Sequence, residues 1–424
     1  MRKNWIKNFN ALATTENREL ALQIVEAGYE AINTESAIFN FVKLENNILK
    51  IQNENFPLNN FKKIKIIGFG KSSGAATLAL EKILGDRIAQ GIVISSKKVD
   101  CQYIETYAGT HPQPSETNAK VGQKIYEMVK NSTEEDLIIV LVSGGGSALL
   151  CYPESEFSQG VRLYDEFLKC GQSRIQLNTV WKHLSLFKGG GLAKIAYPAT
   201  VLGLIFSDLP GNHFENVASG ATYFDKSTIA DAQKIITENN LGKFDLLETP
   251  KEEKYFEKVH NFIVVSNETA ITAMAKKTEE LGLQTKIVST ELYDTVEKVA
   301  EKMFSAGENN SVALAAGEPS LEVKDKNGKG GRNLHLGLEA LKTQPIGEDS
   351  VFISFASDGI DNSDSAGAIV DQNTLEKAQK LSLNPADYLN RFDSFSFFEK
   401  TGDLLSTGST GANVSDLMIL LTKK

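Results

Sequence analysis

Short apolar runs recur along the chain, and many stop at glycine followed by a polar residue. The clearest is Asp136 to Leu150, DLIIVLVSGGGSALL, where six apolar residues lead into Ser143-Gly144-Gly145-Gly146-Ser147. This pattern predicts a buried parallel strand, a glycine turn and a helix. Three glycines leave no Cβ to keep a ligand from main-chain N–H groups, and a helix start adds partial positive charge, which suits phosphate. A tight turn without a ligand is the plainer alternative. A second unit has the same form: KIKIIGF (63–69), the loop Gly68 to Gly74, helical spacing in AATLALEKILG, and the strand GIVISS (91–96). The periodicity also predicts helices over Arg18 to Asn33 and Glu116 to Lys130, with YAGTHPQPS (107–115) a proline-stiffened loop between strand and helix.

Further strands are predicted at TVLGLIF (200–206), NFIVVS, TKIVS, SVALAAGE, VFISFASDG and DLMILLT, alternating with helices, so the fold class is α/β. A polar, charge-rich stretch from Asp231 to Lys258 marks the expected boundary between domains at 1–245 and 255–424. Two domains are also what 424 residues suggest, since one core rarely grows that large.

Composition narrows the function. A net charge of −9 argues against a nucleic-acid partner, which would want a basic face. No window approaches the ~18 apolar residues of a membrane span. Cys101, Cys151 and Cys170 form no CxxC and leave one unpaired, so neither a disulfide frame nor a zinc site is implied. A cytoplasmic protein with no nucleic-acid or membrane partner is expected.

The strand ends KIIGFGKSSG, VLVSGGGSALL, LGLIFSDLPG, ALAAGEP and ISFASDGID each carry glycine with a polar or charged residue. Ligands of open α/β sheets gather beyond the carboxyl ends of strands, so the repetition reads as one site fed by several loops. Lys71 stands on the first of these. GFGKSS is not a Walker loop, because Lys65 stands where that motif needs glycine, and Gly74 falls one place late for a dinucleotide fingerprint. What remains is a lysine able to meet phosphate oxygens; a solvated turn lysine is the alternative. Arg332, behind the glycines of GKGGRN, can clamp a carboxylate or a transferring phosphoryl group, or can simply be a solvated helix-start arginine. Asp208 can take a proton from an attacking hydroxyl or hold a metal through water, or can cap a turn. Glu318 follows a strand, and Asp358, Asp361 and Asp364 recur at three-residue spacing, which suits Mg²⁺ held with substrate phosphates. No HExxH and no GxSxG occurs, so zinc hydrolysis and a serine elbow have no support; His111 and His183 lie in separate segments.

Taken in order, GFGKSSGA, THPQPSE, LVSGGGSALL, LNTVWKHLSLFKGGGLA, SDLPG, AAGEP, GKGGRNLHLGL, ASDGIDNSDSAGA and STGSTGANVSDL resemble the class II glycerate kinases, over roughly Ile66 to Leu421. The C-terminal half of that family is the MOFRL domain. The resemblance implies a Rossmann-like N-terminal domain, a smaller α/β MOFRL domain and a cleft between them. It also implies transfer of the γ-phosphoryl group of ATP, with Mg²⁺, to the 2-hydroxyl of D-glycerate. By the same resemblance Lys71 and Arg332 stabilise the phosphoryl group and Asp208 serves the reacting centre. Gly70, Ser72, Ser143, Gly144, Gly145, Gly146, Ser147 and Glu318 are expected at the nucleotide and its phosphates, His111 and Lys188 at the acceptor carboxylate, and Asp358 and Asp361 at the metal. A monomer or homodimer is expected.

Four positions depart from the family pattern. Trp181 and Gly191 stand where arginine is usual, Asn212 where aspartate is common, and Asn362 where glycine is common. A related hydroxy or sugar acid therefore remains open as acceptor. The competing reading is an NADP-dependent 2-oxo-acid (hydroxypyruvate) reductase, with Lys97-Lys98 at a 2′-phosphate; a phosphate-binding sensor without turnover is a third.

Overall fold

The computed structural model describes residues 4–170, 174–323 and 328–424. The chain divides into two compact units, one made of 34–207 with 213–264, the other of 1–33, 208–212 and 265–424.

The first unit begins with a helix, Thr34–Phe41, followed by a small antiparallel meander, β1 (Val42–Glu45), β2 (Ile48–Ile51) and β3 (Glu54–Pro57). Asn46 and Asn47 join β1 to β2 with φ of 50° and 62°, the left-handed pair that a two-residue hairpin of this twist needs. Then follow β4 (Lys63–Phe69), β5 (Ile88–Ser95), β6 (Glu105–Ala108), β7 (Asp136–Ser143), β8 (Thr200–Phe206) and β9 (Val259–Val265). They lie in the order β6-β5-β4-β7-β8-β9, and every pairing from β6 to β8 is parallel. This is the doubly wound arrangement, with its switch point between β4 and β7. All eight residues of β7 are buried, which explains its unbroken apolar sequence. Lys65, inside β4, is buried because its Nζ meets Asp136 and Ser132, each at 2.9 Å. Buried charge is tolerated where partners neutralise it.

The second unit carries β10 (Gln284–Leu292), β11 (Ser311–Gly317), β12 (Ser350–Ala356), β13 (Gly367–Val370), β14 (Leu404–Leu405) and β15 (Asp416–Thr422). Their order is β10-β11-β15-β12-β13-β14, with β15 antiparallel to both neighbours. Its core packs Leu334, Leu338, Phe352, Phe397 and Met418 around the helix Arg332–Thr343.

This division differs from the expected cut at 245–255. The long N-terminal helix, Glu16–Ala31, belongs to the second unit. Arg18, fully buried on it, bonds Asp371 at 2.6 Å and Asp403 at 2.9 Å, and Tyr29 donates to the carbonyl of Ala356 at 3.0 Å. These partners lie more than 300 residues away in sequence, so no local pattern announces them. The boundary falls at the end of β9 rather than in the polar stretch, because β9 completes the first unit's sheet. Among the described residues no helix is long and apolar enough to cross a membrane.

Candidate active site

In the first unit β4, β7 and β8 run parallel and level: Phe69 is opposite Val142, and Ser143 opposite Phe206. Their carboxyl ends, and the loops that follow, therefore stand side by side at the switch point. The first two loops are latched together. The N–H of Lys71 donates to the carbonyl of Gly144 at 2.9 Å, and the N–H of Ser72 to Ser143 Oγ at 3.0 Å. Gly70 has φ +118°, and a Cβ there would run into Ser143. Glycine is thus demanded both by conformation and by space. Gly145, at φ +81°, lies under the imidazole of His111: a Cβ on it would sit 2.9 Å from His111 Cδ2. Lys71 and His111 are exposed, so the latch presents two basic side chains beside the glycines.

This geometry modifies the expected phosphate cradle in two ways. Two N–H groups of the GFGKSS loop are already committed to the SGGGS loop. The helix behind SGGGS is also a single turn, Gly146–Leu149, before the chain turns out at Leu150 (φ −93°, ψ 99°), so its dipole is slight. Ser147 Oγ pairs with Ser219 Oγ at 2.7 Å, and Ser219 donates to Asn178 Oδ1 at 2.7 Å. Neither Ser219 nor Asn178 is among the expected site residues, although Asn178 stands in the LNTVWKHLS stretch that carries the resemblance.

Lys188 does not face a ligand. It is 1% exposed, and its Nζ is paired with Glu156 and bonded to the carbonyl of Leu150 at 2.7 Å. Trp181 donates to the same Glu156 carboxylate at 3.1 Å, so one of the departures from the family pattern lies in this buried cluster. Gly191 is likewise enforced by packing, because a Cβ would overlap the Leu186 carbonyl.

In the second unit Arg332 is the first residue of its helix. Its Nε pairs with Asp416, and its Nη2 lies 3.5 Å from Glu318. Glu318 follows β11 and Asp416 opens β15; the two strands are antiparallel, with Gly317 opposite Asp416, so both acids stand at one edge. Asn333 bridges the acids, donating to Asp416 at 2.8 Å and to Asp361 at 3.1 Å, and its carbonyl accepts from Ser354 at 2.7 Å. Burial pushes the Asp416 carboxyl up to about 7, against the pull of Arg332 and with a further push from Asp361. Burial also raises Asp361, against hydrogen bonds from the helix start. Arg332 is held above its ordinary value: burial lowers it, but Asp416 and Glu318 outweigh that.

Asp361, expected at a metal, is instead a helix cap. Its Oδ2 accepts the N–H of Leu334 at 2.8 Å and its Oδ1 that of Asn333 at 3.2 Å. Its partner in that expectation, Asp358, is half-buried just beyond β12, accepting the N–H of Ile360 at 3.0 Å. Among the described residues no group of three or more His, Cys, Asp or Glu is gathered as a metal cage. Asn362 has φ +48°, which accounts for glycine being usual there and for asparagine being tolerated. Asp208 is half-buried and belongs to the short segment 208–212, whose Pro210 carbonyl accepts from Tyr293 at 3.4 Å.

A doubly wound sheet with paired glycine loops at its switch point, and a second sheet whose edge holds an arginine between carboxylates, define an α/β protein with polar and charged groups gathered at strand ends. Comparison with known proteins makes this specific. Residues 20–245 match the domain of unknown function DUF4147, and residues 311–416 match the MOFRL family. The chain is 31% identical to the D-glycerate 2-kinase of Thermotoga maritima, covering 95% of this chain and 97% of that protein. It is 30% identical to the glycerate 2-kinase of Pyrococcus horikoshii over 95% of this chain and 97% of that one. The crystal structure of a glycerate kinase from Thermotoga maritima superposes with a TM-score of 0.85 at 29% identity, covering 95% of this chain and 99% of that one. The chain belongs to the glycerate kinase family that joins DUF4147 to MOFRL.

Proposed function

We propose that this protein is a kinase that transfers the γ-phosphoryl group of ATP to the 2-hydroxyl of D-glycerate. The hydroxyl oxygen forms a bond to the γ-phosphorus, the bond to the β,γ-bridging oxygen breaks, ADP leaves, and the hydroxyl proton goes to Asp208. Phosphoryl transfer asks mainly for placement and charge neutralisation. The observation that carries the reading is Arg332, a half-buried guanidinium whose Nε and Nη2 are oriented by Asp416 and Glu318. A cation held this way stabilises developing charge without reorganising. Lys71 is proposed to neutralise phosphate charge, with the glycines 144–146 and His111 beside it serving the anionic ends of the substrates.

Mg²⁺ is proposed to arrive with ATP, neutralising its phosphates. Such an ion needs only one or two carboxylates, and Asp358 is the remaining acid of the expected pair, since Asp361 caps a helix. A cytoplasmic location is supported by Cys101, Cys151 and Cys170, all of them free thiols. A monomer or homodimer is proposed, to be read by sedimentation.

The reductase reading draws on the sheet order, which dinucleotide-binding sheets share. One assay separates the two. The purified protein is given D-glycerate, Mg²⁺ and ATP, or hydroxypyruvate and NADPH, while ADP and NADPH are followed independently. Formation of ADP with a 2-phosphorylated product, located by phosphorus NMR, is expected; NADPH consumption without ADP formation would favour the reductase.

A further inference from the structure

One cavity of the second unit adjoins the start of the Arg332 helix, with Gly331 and Asn362 in its wall. Its volume is about 260 Å³, and Leu321, Val323, Gly330, His335 and Phe392 form most of its wall. His335 is 6% exposed, and its ring forms part of the cavity wall. Burial holds the imidazole neutral, lowering it to about 4. A neutral imidazole has one donor and one acceptor nitrogen, and a buried polar side chain normally satisfies them. Its ring stacks on Phe392, with centroids 5.5 Å apart and planes 19° from parallel. Val323 at the wall is 48% exposed, an apolar side chain left in water. His335 stands three residues after Arg332, so the two share a helix face at its first turn.

We infer that this cavity receives the adenine base of the nucleotide. Flat aromatic walls, aliphatic side chains and glycine backbone on one side suit a fused heteroaromatic ring, and a few polar groups give it orientation. The volume is too small for a whole nucleotide and ample for its base. The phosphates then extend toward the Arg332 end of the helix, while the neutral His335 ring offers the base a hydrogen bond. The inference rests on the kinase reading for the identity of the nucleotide, but the pocket can be tested without turnover.

The test is calorimetric binding of ADP to the full chain and to two variants. Val323→Trp fills the mouth from an exposed position, and His335→Phe keeps the stack while removing both ring nitrogens. Each is expected to weaken ADP binding by roughly tenfold or more, the scale of a lost base-stacking contact. Inorganic pyrophosphate, a competing ligand without a base, should bind the variants as it binds the parent. Unchanged ADP affinity in Val323→Trp, with its thermal transition intact, would overturn the inference. So would equal loss of ADP and pyrophosphate in both variants, or failure of the parent to bind ADP. Should ADP bind as described while glycerate is never phosphorylated, the kinase reading fails and the base pocket stands.

Discussion

The main-chain N–H of Lys71 donates to the carbonyl of Gly144 across 2.9 Å, joining two loops separated by more than seventy residues into one object. The bond sets the backbone from which the Lys71 side chain departs. The loops cannot move independently without losing it and the companion bond from Ser72 to Ser143.

Replacing Gly70 by alanine should therefore damage more than one loop. The left-handed φ of +118° and the overlap with Ser143 are both unfavourable to a Cβ. A cost on the order of 1–3 kcal/mol is expected, together with a fall in kcat. Chemical denaturation and steady-state kinetics on one preparation would check it; unaltered stability would contradict the latch.

Lys71→Ala and Arg332→Ala should each lower kcat by about 100-fold or more while the protein stays folded, as losing a charge-stabilising group does. Arg332→Lys should not restore the rate, because an ammonium cannot be oriented by two carboxylates as a planar guanidinium is. If the only change were in KM for ATP, the loss would be of ground-state binding, contrary to the proposed role.

Asp361→Asn discriminates capping from metal binding. As a cap, its loss should cost about 0.5–2 kcal/mol and leave the Mg²⁺ concentration for half-maximal rate in place. A large rise in that concentration, with stability retained, would return Asp361 to the metal.

Asp416 makes stability depend on pH in a stated direction. Its folded carboxyl titrates near 7, above the ordinary 3.8, so the folded chain holds this proton more tightly. Its contribution is fully present below about pH 4 and is lost as pH rises through about 7, with a slope of at most about 1.4 kcal/mol per pH unit. Urea midpoints at pH 5 and pH 8 should differ less in Asp416→Asn than in the parent. Equal differences would remove Asp416 as the source.

Arg18→Ala should destabilise the second unit by about 3–5 kcal/mol, because Asp371 and Asp403 are left buried without their cation. Thermal unfolding monitored by circular dichroism reads this directly. A shift too small to resolve would mean that Lys377, which also reaches Asp403 at 2.9 Å, carries the pair alone.

The sequence alone determined the α/β class, both glycine loops, and Lys71, Asp208 and Arg332 as candidate functional residues. The physical reason is that these are local properties: an apolar run buried on both faces, or a glycine where backbone must be bare, is written into consecutive residues. Tertiary structure alone decided the partnerships. Asp416 is not marked by its sequence, because it opens its strand, and only the antiparallel pairing brings that first residue to the edge where its neighbour ends. Lys188 is neutralised by Glu156, and Asp361 is held by the N–H groups of a helix start, neither of which its own stretch of sequence reveals. Whether a charge is offered to a ligand or neutralised within the protein depends on groups brought near by folding, and spacing along the chain does not encode that distance.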